Sequence, residues 1–198
     1  TVAENVARGA LAQGAEVQIY DNHLYKLRRI KQLLGHQVYT STIDTIGLAE
    51  TLRTADVVIG TLRAEKGRTR HVVSDDMVRQ MKPDSLIIDL SIDHGGCIAT
   101  SDITTHDNPV YRRYDVLHYC VPNIASRVAR TATTALSNFF TPALLRASEE
   151  GGIEEMIFNY KWFMKGVYAY RGHLTNESIA RRFGLRHSPI ELLFSARY

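Results

Sequence analysis

From residue 16 to residue 121, short apolar runs alternate with stretches of helical periodicity, and this alternation restricts the chain to an α/β fold. EVQIYD (16–21), QVYTS (37–41), ADVVIG (55–60), SLIIDLSI (85–92) and VLHYCV (116–121) read as strands. SLIIDLSI is the most continuous of them and is expected to lie at the sheet centre, buried on both faces. Between the runs, residues 2–13, 24–34 and 45–54 carry helical stripes. Val2, Val6, Ala10 and Leu11 line the first, and Leu24, Leu27, Ile30, Leu33 and Leu34 the second. Gly14 and Gly35 stop these two helices. Ser74 reads as an N-cap, with Asp75 and Asp76 at the positive end of the helix it opens. Strands joined by helices in this way build right-handed βαβ units and a doubly wound parallel sheet.

The pattern changes near Ala129. Residues 129–148 form an Ala/Thr/Leu-rich helix, and the aromatic, basic tail from 160 to 198 reads as helical in patches, with no convincing strand. The expected division is residues 1–129 and 130–198. Residues 161–198 hold seven Lys/Arg against Glu177 and Glu191. Leu, Phe and Tyr interleave these charges, unlike the dense basic arm of a nucleic-acid binder. No apolar run approaches the roughly 18 residues of a membrane span, and the first residues lack the charged-then-apolar order of a signal peptide. The chain does not begin with Met, which leaves a preceding targeting segment open. Cys97 and Cys120 make neither a disulfide framework nor a zinc site, and read as reduced thiols of a cytoplasmic protein.

Three places carry chemistry. Asp21 closes the strand EVQIYD, where a dinucleotide-binding fold places the acid that accepts hydrogen bonds from the adenosine ribose. Its charge favours NAD over NADP, although a solvated Asp opening the next turn has the same pattern. SIDHGG (91–96) follows the central strand, and ligands of doubly wound sheets lie at carboxyl ends of strands. Asp93 and His94 are its titratable groups, and either suits proton transfer. An ordinary turn with an Asx cap is the alternative. TTHDNP (104–109) contains His106 and Asp107 and reads more as a structured loop than as a catalytic pair. Asn123 follows the last strand, with its amide in position for a nicotinamide carboxamide, and Pro122 suits a strand that stops. His23, His36, His71, His118, His173 and His187 have no metal-ligand spacing, so no metal site is expected. NYKWF (159–163) reads as a packing or interface patch.

SIDHGGCIATSDITTHDNPVY, then VLHYCVPNIASRVARTATTALSN and the tail KGVYAYRGHLTNESIARRFGL, resemble the C-terminal part of the alanine dehydrogenase family. The related transhydrogenase α subunit shares the fold and differs in the TTHDNP loop. The resemblance implies a Rossmann-type domain followed by a helical return into a substrate domain. It implies NAD-dependent oxidative deamination of L-alanine to pyruvate and ammonia, and a homo-oligomer without nucleic-acid or membrane partners.

Carried onto this chain, the likeness makes Asp93 the active-site aspartate near the nicotinamide. Thr1 and Val2 match the end of the phosphate-binding turn, Asp21 the ribose acid and Lys26 a neighbouring cofactor contact. Leu62 and Arg63 fall on the adenosine side. Leu90, Ser91, Ile92 and Asp93, with Val121, Pro122, Asn123 and Ile124, line the nicotinamide end. The first strand and its glycines, and the domain that supplies the catalytic histidine and the substrate-binding lysine and arginine, are expected to lie upstream. The chain alone is therefore expected to be inactive. Three departures stand out: TLRAEKG puts Arg63 at a usually apolar position, Pro122 stands where alanine is common, and Ile124 where methionine is common. A non-catalytic or transhydrogenase-like NAD(H)-binding subunit, and an amino-acid dehydrogenase of other specificity, are the alternatives.

Overall fold

The computed structural model describes residues 2–35, 38–63 and 70–195. Thr1, His36, Gln37 and most of the TLRAEKG turn lie outside them. Two compact units are present, Thr1–Ile124 and Ala125–Tyr198.

The first unit opens with α1 (Val2–Ala12), β1 (Val17–Tyr20), α2 (Leu24–Leu34), β2 (Val38–Ser41) and α3 (Thr45–Thr54). It continues with β3 (Val57–Gly60), α4 (Asp75–Arg79), β4 (Leu86–Asp89), β5 (Val110–Arg113) and β6 (Val116–Tyr119). β1 and β2 pair in parallel, and a second sheet has the order β3-β4-β6-β5. In that sheet β3, β4 and β6 are mutually parallel, so three carboxyl ends share one edge. This is the Rossmann-like α/β architecture. Against the dinucleotide-fold order 3-2-1-4-5-6, β2 and β1 take places 3 and 2, and β3, β4 and β6 take places 4, 5 and 6. None of the described strands takes place 1, and the parallel strands form two sheets instead of the single one expected.

The core lies on one face of the four-stranded sheet. Ile87 of β4 and Val116 of β6 are fully buried in a cluster with Leu48 and Leu52 of α3, Met77 and Val78 of α4, and Met81 just beyond it. Full burial of each such side chain contributes about 1.5–3 kcal/mol. Tyr20 packs on the same cluster, and its hydroxyl lies 2.6 Å from that of Thr51. The caps follow the residue chemistry: Asp44 accepts from the Gly47 N–H at the start of α3, and Ser74 from that of Met77 at the start of α4.

Three expectations are corrected, and one strand was not expected. SLIIDLSI is strand only over Leu86–Asp89, because the Asp89 carboxylate draws the following backbone into a turn. Val2 is 57% exposed, and Ala7 is the buried residue of α1. In α2 the buried residues are Leu27 and Ile30; Leu33 points about 120° around the helix from Leu27, and it and Leu24, in the first turn, stay exposed. An antiparallel edge strand, β5, follows TTHDNP and turns back through Tyr114 and Asp115 into β6. Both turn residues have positive φ, 53° and 59°, as a two-residue hairpin turn of the twisted type requires.

The second unit holds α5 (Ala129–Glu149), α6 (Ile153–Asn159), α7 (Lys161–Met164), α8 (Glu177–Phe183) and α9 (Ile190–Ser195). Its small core is Ile157, Tyr170, Ile190 and Phe194. The tail is not purely helical: β7 (Ala169–Tyr170) and β8 (His173–Leu174) pair across Arg171 and Gly172, both with positive φ.

Candidate functional site

Four of the segments singled out above leave the carboxyl ends of parallel strands. Asp21 follows β1, Leu62 and Arg63 follow β3, Leu90 to Asp93 follow β4, and Val121 to Ile124 follow β6. In an α/β sheet this is the edge at which ligands bind, because strand ends and the loops leaving them open a crevice there.

At β1, the half-buried Asp21 is held by its own turn. Its Oδ1 accepts from the His23 backbone N–H at 2.8 Å and lies 2.8 Å from His23 Nδ1. Lys26, in the first turn of α2, brings its Nζ to 3.8 Å from Oδ2 and 3.2 Å from His23 Nδ1. The structure brings Lys26 beside Asp21, two residues that the likeness assigned to the cofactor; the part of His23 was not foreseen. An Asp two residues before a backbone N–H it can cap is the signal that would have found it. The Lys26 cation tempers the negative field that Asp21 presents to a ribose.

At β4 the chain turns through a 3₁₀ turn, Ile92–His94, into Gly95 and Gly96, both with positive φ. Ser91 and Ile92 are buried, Leu90 is half-buried, and Asp93 and His94 are exposed. The Asp93 Oδ1 accepts from the Asn123 backbone N–H at 3.0 Å, which ties the loop after β4 to the loop after β6. Asn123 has φ 51°, so a sharp reversal aims its N–H at Asp93. Val121 is buried, Pro122 half-buried and Ile124 exposed. On the other strands Leu62 packs on the core and Arg63 is exposed, while Val2 sits in the first turn of α1. Thr1 lies outside the described residues.

The TTHDNP loop is tied shut by its own residues. The Thr104 hydroxyl donates to the Pro109 carbonyl at 3.0 Å, and the Asn108 N–H donates to the Thr105 hydroxyl at 3.2 Å. These contacts make it a structured loop.

Sequence reasoning missed the buried carboxylate of Asp89. Its Oδ1 accepts from the Ser91 N–H at 2.9 Å, and its Oδ2 from the N–H groups of Cys97 at 2.9 Å and Ile98 at 3.3 Å. Sequence reasoning also gave His118 no part beyond the absence of metal-ligand spacing. It is buried, with Nδ1 3.0 Å from the Val116 carbonyl and Nε2 2.8 Å from the Thr100 hydroxyl. Burial holds its imidazole below the ordinary histidine range. Burial, then the Asp89 charge, pushes the Cys97 thiol up to about 12, so it stays protonated and chemically quiet.

Gly60, at the end of β3, leaves no space for a side chain: a Cβ there would meet Cys97 Sγ at 2.5 Å and Asp89 Oδ1 at 2.9 Å. The end of β3 is thus packed backbone to carboxylate against Asp89, while Asp93 is exposed in the loop after β4 and Asp21 follows β1. Among the described residues no group of three or more His, Cys, Asp or Glu is placed to hold a metal ion, and no helix is long and apolar enough to cross a membrane.

The family model described as "Alanine dehydrogenase/PNT, C-terminal domain" matches residues 1–177. The alanine dehydrogenases of Bacillus subtilis (strain 168) and Methanococcus maripaludis are each 36% identical over 191 residues, which is 96% of this chain and 50% and 51% of theirs. A solved L-alanine dehydrogenase superposes with a TM-score of 0.81 at 29% identity, covering 90% of this chain and 49% of its own. The chain therefore spans about half the length of the curated relatives it matches. With a family model covering most of its length, and with its strand ends and loops arranged as described, the chain belongs to the alanine dehydrogenase/PNT C-terminal domain family.

Proposed function

We propose that this chain is the cofactor-binding part of an NAD-dependent oxidoreductase that oxidatively deaminates L-alanine to pyruvate and ammonia. The observation that carries the reading is Asp93: an exposed carboxylate on a tight turn beyond the central strand, fixed by the Asn123 N–H. The likeness to alanine dehydrogenases supplies the reaction.

In this reading the strand ends would hold NAD, which would supply the acceptor for a hydride from the substrate Cα. The chain's own residues then have distinct tasks. Asp21 accepts hydrogen bonds from the ribose hydroxyls, and Lys26 and His23 fix its orientation. Leu62 and Arg63 flank the adenosine side. Leu90 to Ile92 and Val121 to Ile124 form the wall of the nicotinamide end. Asp93 holds or accepts a proton beside the reacting carbon, within reach of substrate and water because its side chain faces solvent. The groups that bind the substrate carboxylate belong to the rest of the protein, so the isolated chain binds cofactor without turning over alanine.

The deciding experiment is Asp93→Asn in the intact protein, with alanine oxidation followed by NADH absorbance. Loss of a group active in proton transfer predicts a kcat lower by about 10²–10⁴-fold, with the Kd for NADH changed less than about threefold. Unchanged kcat in the variant rejects the reading.

A further inference from the structure

Asp89 is a buried acid that neither the strand pattern nor the family likeness assigns to the chemistry. It is 1% exposed, on a strand that otherwise packs Ile87 into an apolar core. A carboxylate survives such burial only when its oxygens are hydrogen-bonded. Here the described donors are the backbone N–H groups of Ser91, Cys97 and Ile98 and the Cys97 thiol, and they come from the two ends of a single loop: Ser91 where it leaves β4, and Cys97 and Ile98 where it returns.

That loop is the one that carries Asp93. It is also closed on itself and moored outside. Gly96 N–H donates to the Ser91 carbonyl at 3.0 Å, and Gly95 N–H to that of Ile92 at 2.9 Å. Leu90 N–H donates to the Gly60 carbonyl at 2.8 Å, and Ala99 N–H to that of Val73 at 2.9 Å. Space for the carboxylate comes from two glycines. A Cβ at Gly60 would lie 2.9 Å from its Oδ1, and a Cβ at Gly96 2.9 Å from its Oδ2. Each oxygen thus has a defined set of donors and a glycine opposite, which leaves the carboxylate one orientation.

We propose that Asp89 is a positioning residue: by holding both ends of the 90–98 loop it fixes the 3₁₀ turn that presents Asp93, and it acts on turnover through Asp93. This rests on the reading of Asp93 given above. Asp89 is sealed beneath the loop, so its influence on the reaction passes through the backbone it holds.

The test is a double-mutant cycle in the intact protein. Asp89→Asn is nearly isosteric but sets an amide NH₂ against an N–H donor, so one end of the loop loses its acceptor. The expected kcat falls about 10- to 100-fold, as for other residues that orient a reacting group, with the Kd for NADH shifted less than about threefold. In the Asp93→Asn background the same substitution should change kcat less than about threefold, because residues that act as a unit are not additive. An equal loss in both backgrounds, or no loss in the wild-type background, overturns the proposal. If Asp89→Asn does not fold, Gly96→Ala, which crowds Oδ2, is carried through the same cycle with the same expectations. The controls separate this inference from the reading beneath it. An Asp93→Asn variant with full kcat overturns the reading of the site. A crippled Asp93→Asn beside a fully active Asp89→Asn overturns only the part given to Asp89.

Discussion

The Asn123 N–H donates to the Asp93 carboxylate across 30 residues of sequence, from the loop after β6 to the loop after β4. The contact uses the Asn123 backbone, and the positive φ of that residue aims it. Asn123→Gly keeps both the N–H and the conformation while deleting the amide. If that amide contacts the cofactor, the Kd for NADH rises about fivefold, the value of one net hydrogen bond, while kcat stays within about twofold. Fluorescence titration with NADH measures it. An unchanged Kd removes the side chain from the cofactor site.

Cofactor choice should respond in opposite directions to the two charges at β1. Asp21→Ala removes the charge that repels a 2′-phosphate, and the NAD over NADP preference in kcat/KM should drop at least about tenfold, as expected for like charges a few ångströms apart. Lys26→Ala removes the cation 3.8 Å from that acid and should raise the same ratio. If the ratio moves the same way in both variants, Asp21 is not the selector.

Gly60→Ala tests the packing beneath the crevice. The added methyl would meet Cys97 Sγ at 2.5 Å and Asp89 Oδ1 at 2.9 Å. Overpacking of this kind costs about 1–3 kcal/mol, visible as a lower Tm. A Tm equal to wild type would mean that β3 and β4 can part more easily than their packing indicates.

His118 should make stability depend on pH on the acid side of neutrality. Its Nδ1 donates to the Val116 carbonyl, which leaves Nε2 to accept from Thr100 in the neutral ring. With its folded pKa lowered by burial, the unfolded chain takes up a proton as pH falls through about 6.5, while the folded chain does not. Stability therefore falls as pH drops below about 6.5, down to the folded pKa. Thermal melts between pH 7.5 and 5 should show this loss, and His118→Gln should flatten it. Equal slopes in the two proteins would refute the assignment.

The βα alternation was legible because buried strands and amphipathic helices carry different periods and glycines separate them. The turn that carries Asp93 was legible because the glycines of SIDHGG follow the most apolar strand. The hairpin of β5 and β6 was not. Its turn is Tyr-Asp, where Asn-Gly would have signalled it, and the Tyr114 hydroxyl is held by residues far away in sequence: it donates to Asp75 at 2.8 Å and accepts from Arg79 at 2.6 Å. β7 and β8 are two residues each, too short to show a period. Asp89 was hidden for a different reason. Within SLIIDLSI it reads as one more strand residue, and its donors Cys97 and Ile98 reach it only after the loop has closed.

The left-handed turn offers a stability test of its own. Asp115 sits at φ 59°, and its backbone carbonyl, which accepts from the Asp84 N–H and from Arg112, is unchanged by losing the side chain. Asp115→Gly should relieve about 1 kcal/mol of strain and raise Tm by a few degrees. A lower Tm would mean that the Asp115 side chain contributes more than its conformation costs.

The antiparallel strand β5 decides how this sheet meets its surroundings. Among the described residues it is the last strand of the order β3-β4-β6-β5. Its last two residues are consecutive arginines, which an extended chain sends to opposite faces. Arg112 pairs with Asp84, and Arg113 lies between Asp75 and Asp102. A strand from another molecule that added itself here would have to displace charge above and below at once, so this edge resists the edge-to-edge aggregation to which open sheets are prone.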